Sequence, residues 1–136
     1  MYVKSKWNLA ALAIMALTVV AHAFGGGPEI WEPVFASGLN ETVRISMGLV
    51  WHGLTGLFIV MTALGAVAYF KPDLSAGINL SMVLTNLTFG LLALIYGYVS
   101  TGNVWVLPQW ILFLPMAIFT FLALKTALKH TLKKGH

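Results

Sequence analysis

A chain of 136 residues in which 59% are hydrophobic and 9% charged cannot cover itself with a water-facing surface, for which soluble domains use about a quarter charged residues. Its mean hydropathy is +0.86, its net charge is +4, and cysteine is absent, which excludes disulfides, thiolate metal sites, thiol redox chemistry and cysteine nucleophiles. The basic residues lie at the chain ends and the margins of apolar runs; without a basic stripe interleaved with stacking aromatics there is no nucleic-acid signature, and the expected partner is the lipid bilayer.

Four stretches approach the ~20 apolar residues that cross a hydrocarbon core. The first, 7–24, follows Lys4 and Lys6 and is expected to end at Gly25-Gly26-Gly27-Pro28. It also fits a secretory leader, with a basic start, an apolar run and Ala21-His22-Ala23 as a small-x-small signal for cleavage before Phe24. A long outer loop over 25–43 comes next, within which 32–38 suits a short interfacial helix. The second span, 45–70, has no Asp, Glu, Lys or Arg between Arg44 and Lys71. Asn40 stands where it can cap this helix, with Glu41 in the first turn, where negative charge is favoured. The third span, 74–99, follows the turn Lys71-Pro72-Asp73. The fourth, 108–124, starts at Pro108, a natural first-turn residue, and contains Pro115, which should kink or loosen it. The basic tail, 125–136, continues helically for about two turns before fraying. These runs are too long for strands and lack the alternation of a β-barrel. The fold class is therefore all-α: one polytopic membrane domain, 1–136, forming a bundle of four transmembrane helices with a long outer loop between the first two.

Four spans put both termini on one side. Of the eight basic residues, Lys4, Lys6, Lys71, Lys125, Lys129, Lys133 and Lys134 fall there, and Arg44 alone falls opposite. The positive-inside rule then places both termini in the cytoplasm; the expected location is a bacterial inner membrane. Glu29, Glu32 and Glu41 lie outside. Trp31, Trp51, Trp105 and Trp110 mark the outer interface and Trp7 the inner one, as aromatic belts do.

Gly48, His52 and Gly56 recur at intervals of four, which places them on one helix face. Small residues let membrane helices approach closely, so the pattern directs His52 toward a neighbouring helix. A neutral imidazole joining two helices by one hydrogen bond is the plainer account of it; an ionisable residue at membrane depth is also a functional-site candidate. His22, near the outer end of the first span, makes a second imidazole available if the first two helices are neighbours. Two histidines on adjacent helices suit a metal ion or a b-type haem, although their depths differ and no HxxxH or HExxH supports the pairing, so neither cofactor is favoured. Gly25-Gly26-Gly27-Pro28 lacks the Lys-Ser/Thr ending of a phosphate loop and reads as a tight reversal at the outer rim.

The candidate ligand-binding residues at that rim are His22, Glu29, Glu32, Arg44, His52, Gln109 and Trp110, with Arg44 expected to pair with one of the carboxylates. On the third helix Asn79, Asn86, Gly90, Ala93 and Gly97 share one face. Gly48, Gly56, Asn86 and Gly90 are the expected packing residues, with Asn86 hydrogen-bonding across helices. Thr55, Thr62, Thr85 and Thr88 are expected to bond back to their own helix carbonyls. No carboxylate, lysine or arginine lies inside a span, which is thin equipment for a proton relay or ion-coupled pump, and no serine–histidine–acid set supports hydrolase chemistry.

The strings His22-Ala23-Phe24-Gly25-Gly26-Gly27-Pro28-Glu29, Trp51-His52 and Pro108-Gln109-Trp110 resemble a group of small, uncharacterised four-helix membrane proteins of bacteria. The resemblance covers most of the chain and implies the topology, without a mechanism. The leading functional expectation is a membrane protein of binding or accessory type, holding a partner subunit or a small ligand at its outer-leaflet rim, alone or as a homo-oligomer. The alternatives are a redox, metal- or haem-handling protein using His22 and His52, and a small oligomeric transporter or channel. The topology is open to direct test: reporter fusions at Pro72 and after Lys134 are expected to read cytoplasmic, and insertions at Ser37 and Asn103 external. An external Pro72 would refute the span count.

Overall fold

The structure, a computed structural model, describes the backbone of residues 5–134 and the side chains of 5–132. Lys4, His136 and the side chains of Lys133 and Lys134 lie outside the described residues. Four helices are long and apolar enough to cross a membrane: α1 (Lys6–Phe35), α2 (Glu41–Phe70), α3 (Pro72–Thr101) and α4 (Trp110–Lys134), the last apolar as far as Leu132. No strand occurs among the described residues. This is the make-up of a multi-pass, all-α membrane protein. The first three helices have 30 residues each, about 45 Å at 1.5 Å per residue, against a hydrocarbon core of about 30 Å. Each is therefore long enough to cross the apolar layer with some tilt. Large apolar side chains such as Leu49, Leu84, Val99 and Ile118 are more than half exposed, which suits lipid as the solvent.

The helix ends follow local chemistry. Asn40 Oδ1 accepts the Thr42 N–H at 2.9 Å, and Glu41 occupies the first turn of α2, as the sequence predicts. At the start of α3, Pro72 needs no donor and Asp73 sits at the positive end of the helix dipole. Its other end closes on Gly102, at φ 71°, whose N–H returns to Tyr98 O. That left-handed cap is natural for glycine. Asn103 Oδ1 then accepts the Trp105 N–H at 2.9 Å and opens a 3₁₀ turn, Val104–Val106. Pro115 is carried inside α4.

One expectation is overturned. Gly25-Gly26-Gly27-Pro28 does not end the first helix, and no long outer loop spans 25–43. α1 instead continues to Phe35 by passing through wider π-helical turns at Ala21–Gly25 and Gly27–Trp31. There the Gly26 N–H reaches Ala21 O and the Glu32 N–H reaches Gly27 O, each five residues back. Gly26 keeps ordinary right-handed helical angles, and the lengthened bonds keep the backbone paired around Pro28, which has no N–H to give. The segment foreseen as an interfacial helix is the last turn of α1, Glu32–Phe35, and residues 36–40 are all that remains of the loop.

The chain divides into two compact units, one of Met1–Ile14 with Leu64–His136, the other of Met15–Ala63. The larger unit is organised by a buried polar cluster. Asn8 Nδ2 donates to Ser75 Oγ (3.3 Å) and to Ala68 O (3.4 Å), and Asn79 Nδ2 donates to the same Ser75 Oγ at 2.9 Å. All three side chains are buried. Further along, α3 and α4 meet closely where glycine replaces a side chain: a Cβ on Gly90 would stand 2.7 Å from Leu114 Cδ2. Phe89 and Phe113 stack beside it at 5.3 Å. The face predicted for α3 is the buried one at Asn79, Asn86, Gly90 and Gly97. Trp7 stacks on Phe119 at 6.0 Å, with Lys6 Nζ 4.9 Å from the Trp7 ring.

Asn86 corrects a second expectation. It is fully buried, yet neither its Nδ2 nor its Oδ1 has a hydrogen-bond partner, so it is not the interhelical tie the sequence suggested. The tie lies lower, at Asn8, Ser75 and Asn79. Buried amides cost free energy when unpaired and contribute modestly when paired, so two substitutions should act in opposite directions. Ser75→Ala removes the acceptor of Asn79 Nδ2 and leaves Asn8 Nδ2 with Ala68 O alone, and is expected to lower stability by about 1–3 kcal/mol. Asn86→Leu removes an unpaired amide at similar volume and is expected to raise it by a comparable ~1–3 kcal/mol. Thermal unfolding of the purified protein checks both signs.

Candidate functional site

The unit Met15–Ala63 consists of the last two thirds of α1 and the first three quarters of α2, joined by the short turn. In an α-helix a five-residue step carries a side chain about 140° round the axis. A turn closed by a bond five residues back holds more than four residues, so the same step returns close to its starting face. The π-helical turns thereby bring Gly26 and Trp31, five apart, to the side of α1 that meets α2. What results is a reciprocal arrangement. Trp51 of α2 lies over Gly26, its Cη2 2.8 Å from the place of a Cβ, and Trp31 of α1 lies over Gly48 at the same 2.8 Å. Each indole occupies space that any side chain at the opposing glycine would need.

The two histidines attach to this pair separately. The His22 ring is stacked on Trp51 with centroids 4.1 Å apart and 21° between planes, and meets Phe58 edge-on at 5.2 Å. Its Nε2 lies 3.3 Å from Trp51 O. A carbonyl oxygen only accepts, so Nε2–H is the donor and this nitrogen is committed. Thr55 Oγ1 donates to the same carbonyl at 3.1 Å. His52 meets Trp31 edge-on at 5.5 Å and is otherwise exposed. The imidazoles thus have different aromatic partners, and only His52 joins the groove described next. Among the described residues no three His, Asp or Glu side chains gather into a metal-holding group.

Between the indoles opens a groove of about 350 Å³. α1 supplies Ala23, Phe24, Gly27, Pro28, Trp31 and Glu32 to its wall, and α2 supplies Trp51, His52 and Thr55. Glu32 is the wall's single carboxylate, and no lysine or arginine lines it. The expected pairing of Arg44 with a carboxylate does not occur among the described residues; the guanidinium lies 5.6 Å over the Phe35 ring instead. Glu29 is exposed and off the groove wall. Gln109 and Trp110 belong to the other unit, where the Gln109 carbonyl accepts from Leu112 and Phe113 and Trp110 Nε1 donates to Val104 O at 3.1 Å beside Trp105.

The glycine pattern on α2 is half realised. Gly48 is buried beneath Trp31, whereas Gly56 is exposed with open space around it. Four-residue steps drift about 40° each on a helix of 3.6 residues per turn, so a stripe that begins at a contact at Gly48 has turned away two steps later. Sequence reasoning missed the tryptophan–glycine reciprocity. The available signal was a glycine and a tryptophan on each of two consecutive helices, but the five-residue spacing of Gly26 and Trp31 is unhelpful until the π-helical turns are known. The threonine expectation holds: Thr55, Thr62, Thr85 and Thr88 all bond back four residues.

No protein-family model, curated protein or solved structure matches the chain.

Gly48→Leu is expected to displace Trp31 and destabilise this unit by about 1–3 kcal/mol through overpacking, with a shift in tryptophan emission. Gly56→Leu, projecting into open space, should change neither reading in the monomer. Equal effects of the two would contradict the indole-over-glycine contact.

Proposed function

We propose that this is a small bacterial inner-membrane protein of binding or accessory type, with both termini cytoplasmic, and that the groove between α1 and α2 is where it holds a small ligand or a segment of a partner. The observation that carries the reading is the groove itself. Its wall combines two indoles set by glycine contacts, an exposed imidazole, a hydroxyl and a carboxylate with no ion partner among the described residues. Binding sites take this form: a mainly apolar and aromatic hollow with a few placed polar groups. An indole rim also anchors helices at the headgroup interface, which accounts for Trp105 and Trp110 as well, but anchoring does not call for a concavity with a carboxylate in its wall. The distribution of lysines supports the orientation, with Arg44 the one basic residue on the opposite side.

Filling the groove tests the proposal without knowledge of the occupant. Wild-type protein extracted with its native lipid patch is expected to carry an associated small molecule, lipid or polypeptide visible by native mass spectrometry. Ala23→Phe and Thr55→Phe, which project bulk from opposite walls, should deplete it about ten-fold, a loss of roughly 1.4 kcal/mol of binding. Thr85→Phe, outside this unit, should leave it unchanged. Equal retention by both filled variants, or no associated species on the wild type, would overturn the reading.

A further inference from the structure

We infer that the group the groove receives is an ammonium ion, presented by a free alkylammonium compound or by the headgroup of a zwitterionic lipid. The inference rests on the binding reading above and names its ligand class. Three observations point the same way. Trp31 and Trp51 both front the hollow, and indole is the aromatic surface with the strongest attraction for a cation. Glu32 supplies the wall's only carboxylate; no ion pair neutralises it among the described residues, and its negative charge disfavours phosphate or carboxylate ligands in the same space. The cation that could have filled this role from within the chain, Arg44, is placed over Phe35 and does not line the groove.

Trp51 is also restrained as a recognition surface. His22 stacks on the indole and donates to its backbone carbonyl, while Gly26 receives its edge. Trp31 is held in the same manner by Gly48 and the edge of His52. Rings held in place before a ligand arrives lose little freedom on binding, which favours affinity from modest contacts. Alkyl substituents on the nitrogen would rest against Phe24 and Pro28 and leave the charge toward Glu32. A bare inorganic cation would make poor use of such a wall, because hard cations take oxygen ligands in numbers that one carboxylate and one hydroxyl do not supply.

The test uses the full chain in nanodiscs of phosphatidylglycerol, whose headgroup has no ammonium, with tetramethylammonium and choline as probes and neohexanol as choline's uncharged carbon isostere. Saturation-transfer NMR and calorimetry are expected to show saturable binding of both cations, and at least five-fold weaker binding of neohexanol. Glu32→Gln, an exposed substitution that leaves both indole contacts intact, should weaken the cations by a similar factor while leaving neohexanol unchanged. Empty discs and Glu32→Gln in identical discs account for cations attracted by the anionic surface. Repeating the titration in phosphatidylethanolamine discs separates the sources. Weaker apparent binding of tetramethylammonium identifies the headgroup as the occupant, and unchanged binding identifies a free cation. Neohexanol binding as well as choline, insensitivity to Glu32→Gln, or no saturable cation binding would each overturn the ammonium assignment. The groove reading would then still stand or fall by the mass retained in Ala23→Phe and Thr55→Phe, so the two failures are distinguishable.

Discussion

In an apolar solvent a peptide N–H or C=O without a partner costs several kcal/mol, because no water can replace it. That constraint explains the course of the chain through residues 21–31. In water a run of three glycines and a proline is a natural place to abandon a helix, since the freed backbone groups are hydrated at once. Here the backbone widens to π-helical turns instead, with the Gly26 and Glu32 N–H groups reaching back five residues. Pro28 supplies no donor, and glycine imposes no side chain on the widened turn. The helix survives at the cost of its usual periodicity, and the altered periodicity is what sets the site.

The side-chain polar groups obey the same rule unevenly. Asn8, Ser75 and Asn79 satisfy one another through a single hydroxyl and bind the start of α1 to α3. The threonines close on their own carbonyls and need no neighbour. Among the described residues Asn86 alone stands as a buried amide with both atoms unpaired. It sits one turn from Gly90, where Leu114 approaches closely and Phe89 stacks on Phe113 in the contact between α3 and α4.

Gly26 and Gly48 act in the other unit as receptors for large rings, which differs from the usual role of small residues in bringing two backbones together. Each tryptophan is both a packing element and a wall of the groove. This dual use ties recognition to stability: a change that moves an indole alters the shape of the hollow and the fit of the helix pair together. His22 reinforces the arrangement by fixing one ring and one carbonyl. That hydrogen bond commits Nε2 of His22 to the carbonyl of the residue on which its ring stacks.

The all-α make-up, the four apolar helices, the capping of α2 by Asn40 and the buried face of α3 were legible in the residues, because apolar length, capping chemistry and helical periodicity are local properties; the long outer loop read between the first two helices was not there to find. The candidate site was legible only in part. His52 and Glu32 were identified with Trp31 and Trp51 nearby, while Gln109, Trp110 and Glu29 were grouped with them by depth alone. Depth along a helix says which layer a residue occupies and nothing about its azimuth. That azimuth depends on whether each turn holds 3.6 residues or more than four, and on where an indole finds a glycine opposite. Both are settled by packing between segments far apart in the chain. By itself the sequence determined that the chain must be helical and sit in lipid; the tertiary structure alone decided that α1 continues past Pro28, that Trp31 and Trp51 exchange places over Gly48 and Gly26, and that Glu32 fronts the groove between them. A glycine–proline run near the end of an apolar stretch reads as a loop in the sequence, because neither the backbone pairing through π-helical turns nor the seating of each indole on the opposing glycine is a local property.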